Sequence, residues 1–144
     1  MSPKPRLFIT ATFQGSQNKE QIEHLCALAR RAGFNDFCFI RDIEKYQNIY
    51  ADPAKLMHKA LQEIERSDYL LIDLTDKPTG RAFEAGMAFA LGKKVIVIAR
   101  RGTRLKDTTR GIAFAIIEYD ELDEILGPLS QVIGIDELPN PQNP

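Results

Sequence analysis

The chain has 144 residues, 44% of them hydrophobic and 27% charged, and its 19 basic side chains nearly cancel 20 acidic ones for a formal charge of −1. This length suits one domain with a sizeable core and is too short for two ordinary cores. The balanced charge gives no global pull toward a nucleic-acid polymer or an anionic membrane, although a local basic patch could still hold a phosphate. In chain order, Leu7 to Phe13 reads as a strand, because a run rich in β-branched and aromatic residues follows Pro5 and stops at Gly15. Its exit loop is Gln14-Gly15-Ser16-Gln17, after which Asn18 can cap a helix with Gln21 as reciprocal partner; Ile22, Leu25, Cys26 and Ala29 recur at helical spacing and Gly33 ends it. Phe37 to Ile40 is a second short strand, and Arg41 to Tyr50 a polar loop. Asp52-Pro53 opens a helix whose buried stripe is Met57, Ala60, Leu61 and Ile64, ending near Ser67.

Asp68 to Leu74 is almost continuously apolar, as a central strand covered on both faces requires. Thr75 to Gly80 leads out of it. Arg81 to Leu91 then forms a helix with little polar surface, so little of it should face water, and Gly92 caps it. Val95 to Ala99 is the next strand, followed by a loop with five basic residues, Arg100, Arg101, Arg104, Lys106 and Arg110. A last strand lies near Ile112 to Tyr119, and Asp120 can cap a final helix carrying Leu122, Ile125 and Leu126.

Five strands alternating with helices specify a parallel sheet, since parallel neighbours need right-handed crossovers. The expectation is one three-layer α/β domain of flavodoxin-like or Rossmann-like type over residues 1–138, with strand order 2-1-3-4-5. The Pro- and Asn-rich tail, 139–144, is too poor in apolar groups to order itself. No stretch approaches the ~20 apolar residues of a membrane span, and the opening Met1-Ser2-Pro3-Lys4-Pro5-Arg6 lacks the apolar region of a secretion signal. Cys26 and Cys38, the only cysteines, sit in apolar patterns and fit a reducing, cytoplasmic compartment. With His24 and His58 they match no metal-ligand spacing.

Open sheets of this kind bind ligands beyond the carboxyl ends of their strands. That rule nominates the loops Thr10 to Gln17, Arg41 to Tyr50, Asp73 to Glu84 and Arg100 to Arg110. None carries a dinucleotide fingerprint, a P-loop or a nucleophile elbow. Glu84 falls in the opening turn of an apolar helix, where free N–H groups and the helix dipole favour an ionised carboxylate. A charged carboxylate at the crevice wall suits a nucleophile; the alternative is a surface acid that merely complements the dipole. Asp73 and Asp76 could bind sugar hydroxyls or simply cap their loop.

The run Asp68-Tyr-Leu-Leu-Ile-Asp-Leu-Thr, followed by Gly80-Arg-Ala-Phe-Glu84-Ala-Gly86-Met-Ala-Phe-Ala-Leu-Gly92-Lys-Lys-Val-Ile-Val, resembles the core of the nucleoside 2-deoxyribosyltransferase superfamily. That superfamily includes deoxynucleoside 5'-monophosphate N-glycosidases, and the resemblance covers about residues 66 to 98. It implies that Glu84 attacks the anomeric carbon of a sugar, displaces the base and forms a glycosyl-enzyme ester, which water or a second base resolves. It further implies sugar or phosphate contacts from Thr10, Thr12, Gln14, Gly15 and Ser16, and a base-contacting loop at Arg41. Asp73, Asp76, Thr79 and Gly80 complete the expected substrate-binding set. A homodimer or larger assembly is implied too, as is the lack of any metal or organic cofactor.

Two departures from the family pattern bear on function. Relatives usually carry an aspartate eight positions before the residue matching Asp68, where it orients the sugar and assists the leaving base; this chain has Ala60 there, beside His58 and Lys59. Relatives place Asp or Ser six positions before the glutamate, where this chain has Pro78. His58 is a conceivable stand-in for the missing acid, and the basic loop could meet a 5'-phosphate or a neighbouring subunit. The leading reading is cleavage or transfer of an N-glycosidic bond of a nucleoside or nucleoside 5'-monophosphate. The alternative is a non-catalytic nucleotide-binding or sensor module of the same fold, which the absent aspartate favours.

Overall fold

A computed structural model describes residues 3–14, 18–47 and 49–137. Five strands, β1 (Arg6–Thr10), β2 (Asn35–Cys38), β3 (Tyr69–Asp73), β4 (Lys94–Arg100) and β5 (Ala113–Tyr119), make one sheet. All neighbours run parallel in the order β2-β1-β3-β4-β5, as the alternating pattern predicts. The helices are α1 (Lys19–Ala32), α2 (Phe39–Asp42), α3 (Pro53–Glu65), α4 (Thr79–Ala90), α5 (Asp107–Ile112) and α6 (Leu126–Glu137), the last entered through a 3₁₀ turn at Leu122–Ile125.

The side chains of β3 show why its sequence is so uniformly apolar. Tyr69 and Leu71 pack on one face with residues of α1 and α6, whereas Leu70 and Ile72 pack on the other with residues of α3 and α4. Each fully buried side chain of this size contributes roughly 1.5–3 kcal/mol. Tyr69 through Ile72 are at most 1% exposed. The register pairs Leu7 with Tyr69 and Thr10 with Ile72, which brings the carboxyl ends of β1 and β3 side by side.

Local chemistry shifts several boundaries from their sequence expectations. β1 ends at Thr10, not Phe13. Gln14 N–H donates to Asn18 Oδ1 at 2.8 Å and Asn18 Nδ2 donates to Thr12 O at 2.6 Å. The Asn18 side chain therefore clasps the incoming loop and makes no cap bond to α1. β2 stops at Cys38 because the chain closes a helical turn there, with Asp42 Oδ2 accepting from Cys38 N–H at 2.9 Å. Asp52 does cap α3, accepting from Ala54 N–H at 2.9 Å, and Gly33 takes the left-handed φ of 113° that ends α1. Part of the basic loop folds as α5. The turn before α6 is opened by a capping box between Glu121 and Glu124, with Asp120 N–H donating to Glu124.

Two burial expectations also change. In α3 the buried positions are Ala60, Glu63 and Ile64, while Met57 and Leu61 are half-buried. Glu63, at the amino-terminal end of the sheet, meets Arg6 at 2.6 Å, Arg66 at 3.1 Å and Lys59 at 3.2 Å. In α4 Ala85 and Ala88 lie against the sheet, but Ala82, Phe83, Gly86, Phe89 and Ala90 form an outward apolar stripe, with Phe83 65% and Phe89 52% exposed. Among the described residues no helix is long and apolar enough to cross a membrane.

Candidate active site

Thr10 is the last residue of β1 and 3% exposed, and its neighbour across the sheet, Ile72, precedes Asp73. Two cavities open at this end, sharing Thr10 and Ala11 as common wall. The first, of about 80 Å³, is polar: Thr12, Gln14 and Asn18 face Asp73, Asp76 and Arg81. The second, of about 100 Å³, is walled by Phe39, Ile40, Leu56, Met57 and Ala60, with Glu44 and Glu84 its two ionisable groups.

Glu84 sits in the second turn of α4, and its carboxyl lies close enough to the Thr10 hydroxyl to be stabilised by it. Burial pushes its pKa up to about 7; the Thr10 hydroxyl and the Arg81 guanidinium pull it down, and the nearby charge of Glu44 pushes it up. The group therefore changes charge near neutral pH, whereas the sequence, placing it in the first turns of a helix, predicts a carboxylate held ionised. Arg81, one turn earlier on the same helix, donates from Nη1 to Thr10 O at 3.5 Å. Its Nε is buried and has no hydrogen-bond partner among the described residues. A guanidinium has five donors, so most of Arg81's capacity is open to a ligand.

Asp73 is held from three sides. Its Oδ1 accepts from Thr75 N–H at 2.9 Å and from Thr75 Oγ1 at 2.6 Å, and its Oδ2 accepts from the Tyr119 hydroxyl. Burial and the carboxylate together push the Tyr119 phenol up to about 12. A carboxylate fixed this way offers a directed acceptor to a sugar hydroxyl, while Asp76 beside it is exposed.

The remaining sequence candidates distribute unevenly. Thr10, Thr12, Gln14, Asp73 and Asp76 come together with Glu84 and Arg81 around the two cavities. Gly15 and Ser16 lie outside the described residues. Arg41 is not in either wall: it binds Asp42 at 2.7 Å and Asp36 at 2.9 Å. Thr79 lines a separate groove with Lys77, Arg104 and Lys106, and Gly80 is exposed at the start of α4. His58 is exposed and in neither cavity wall. Arg81 and Glu44 were not singled out from the sequence, since an arginine at a helix start and a glutamate in a polar loop look ordinary. Among the described residues no three His, Cys, Asp or Glu side chains converge as metal ligands.

The family model for nucleoside 2-deoxyribosyltransferase matches residues 9–124, which include both cavities and Glu84. The chain belongs to the nucleoside 2-deoxyribosyltransferase family. Solved structures share its fold at low identity. The CMP N-glycosidase BcmB of Clostridium botulinum is 22% identical over 86% of this chain and 97% of its own, with a TM-score of 0.65. A conserved protein from Enterococcus faecalis V583 is 14% identical over 89% and 98%, at 0.70. A 2-deoxyribosyltransferase from Bacillus psychrosaccharolyticus is 18% identical over 85% and 95%, at 0.60. No curated protein matches the sequence.

Proposed function

We propose that this family member cleaves or transfers the N-glycosidic bond of a nucleoside or nucleoside 5'-monophosphate, with Glu84 as the nucleophile. The observation that carries the reading is the Glu84 carboxyl itself: half-buried at the carboxyl end of a parallel sheet, beside the Thr10 hydroxyl, and facing an apolar-walled cavity. A carboxylate there can attack an anomeric carbon from one side while the base leaves from the other. Asp73, Asp76 and Arg81 offer acceptors and donors to the sugar and its substituents from the adjoining polar cavity.

The same reading assigns the chain to a homodimer or higher homo-oligomer. Support comes from the outward stripe of α4 and from Ile116 of β5, 39% exposed, which alternation with the buried Ile117 turns toward the α4 side of the sheet. Gly86 in the middle of the stripe has open space above it, so a second copy's helix can approach closely. Both cysteines are free and buried, in keeping with a cytoplasmic site of action.

The test is release of free base, followed by chromatography, from a panel of nucleosides and 5'-monophosphates with and without an acceptor base. Glu84→Gln is expected to lower turnover by about 10³-fold or more while the circular dichroism spectrum stays unchanged. Equal turnover by wild type and Glu84→Gln removes the nucleophile assignment. Tight binding without turnover across the panel selects the sensor reading, which Ala60 in the cavity wall favours.

A further inference from the structure

A departing base needs a proton, and the family's usual acidic position is unable to deliver one here: Ala60 occupies it, 2% exposed in the wall of the Glu84 cavity. The same wall receives a different carboxyl. Glu44 enters from the turn after α2, a segment distant in sequence from both Ala60 and Glu84. Among the described residues its side chain has no hydrogen-bond or ion partner.

The backbone holds Glu44 there in an unusual way. Glu44 N–H donates to Phe39 O at 3.1 Å, and the next two residues, Lys45 and Tyr46, both adopt left-handed φ values of 53° and 59°. Residues with side chains avoid this region unless their surroundings enforce it, and such outliers cluster at functional sites. The enforcement is visible. Tyr46 N–H donates to Ile40 O at 2.8 Å, its hydroxyl donates to Glu23 Oε1 at 2.6 Å, and its ring packs 5.2 Å from Phe13 and 4.7 Å from Lys19 Nζ. Contacts along α1 thus clamp the turn that presents Glu44.

We propose that Glu44 is the proton donor to the leaving base, taking the role that the missing aspartate would have filled; the proposal rests on Glu84 being the nucleophile. Glu84 oxygen bonds to the anomeric carbon as the C–N bond breaks, that bond's electron pair goes to the base, and the Glu44 carboxyl proton passes to the base. Glu44, now a carboxylate, then takes a proton from the incoming water or acceptor base as it attacks the ester, which frees the Glu84 carboxylate.

The surroundings treat the two carboxyls differently. Two carboxyls in one apolar cavity resist ionising together, so the pair holds a proton between them. Burial pushes the Glu44 carboxyl up, with no donor to offset it. The Thr10 hydroxyl from β1 and the Arg81 guanidinium from α4 pull Glu84 toward its charged form, a pull that Glu44 lacks. From α2, Arg41 is neutralised by Asp36 and Asp42, and α3 contributes Leu56, Met57 and Ala60 to this wall.

The experiment compares wild type with Glu44→Gln on two substrates: a nucleoside or nucleotide that wild type cleaves, and its N7-methylated purine counterpart, whose base already bears the positive charge. The expected loss is about 10²- to 10⁴-fold in kcat/KM on the first and under about tenfold on the second, with the alkaline limb of the pH profile gone and partial recovery in Glu44→Asp. Equal losses on both substrates, or none on either, overturn the proposal while leaving the Glu84 reading intact. Absence of base release by wild type from every substrate overturns both. Glu44→Ala, with folding checked by circular dichroism, repeats the comparison should the glutamine variant misfold.

Discussion

Glu63 is buried at one edge of the sheet and Glu84 half-buried at the other, and the protein treats the two glutamates oppositely. Burial by itself would raise Glu63, but Arg6 and Lys59 within 3.2 Å outweigh it and hold its carboxyl below the usual range. Burial wins at Glu84, where a hydroxyl and one arginine leave the pKa near 7. A buried carboxylate given more cations than it needs is a fastener. One left short of partners is held ready for something that arrives later.

This contrast can be broken at either end. The largest effect is expected from Glu63→Ala, which strands three cations around an empty position: a loss of about 3 to 4 kcal/mol, measured by urea denaturation at pH 7. A loss under about 1 kcal/mol would show that the network is ornamental. Glu84→Gln is expected to do the reverse. Because the folded pKa lies above the value of 4.5 usual for glutamate, the native state binds the extra proton. The associated stability is complete below about pH 4.5 and is lost as pH rises through 7, by at most about 3 kcal/mol. Glutamine does not ionise, so the variant should gain on wild type progressively between pH 5 and 8, with no gain at pH 4. For Glu63 the sign is opposite: its contribution is present above the usual glutamate pKa and fades as pH falls through the lowered one. The smallest effect sharpens the contrast. Thr10→Val removes the hydroxyl from Glu84 and should raise that titration by about one unit, read by NMR of the labelled carboxyl; a downward shift would show that Thr10 does not stabilise the anion.

Much of this architecture was legible from pattern. Continuous apolar runs such as Tyr69 to Ile72 must lie between two layers, and Gly33 and Asp52-Pro53 punctuate helices through backbone preferences that tertiary context left undisturbed. Glu84 stands out in the sequence because a family pattern surrounds it. Glu44 and Arg81 do not. Their placement arises from convergence: the left-handed pair at Lys45 and Tyr46 and the register of Thr10 with Ile72 bring distant segments to the two adjoining cavities, which periodicity does not encode. Arg41 failed to join the site for a comparable reason, since Asp36 and Asp42 claim its guanidinium. The outward stripe of α4 departs from the sequence expectation because apolar composition does not say which side of a helix meets the core.

The Glu63 network clusters at the amino-terminal edge of the sheet, whereas the two cavities lie at the opposite edge. Substitutions in the cavity walls, at Thr12, Asp76 or Met57, should therefore leave the fastening untouched. Such a layout makes the molecule a forgiving scaffold, one in which new chemistry can be explored at one rim while the opposite rim keeps the chain folded.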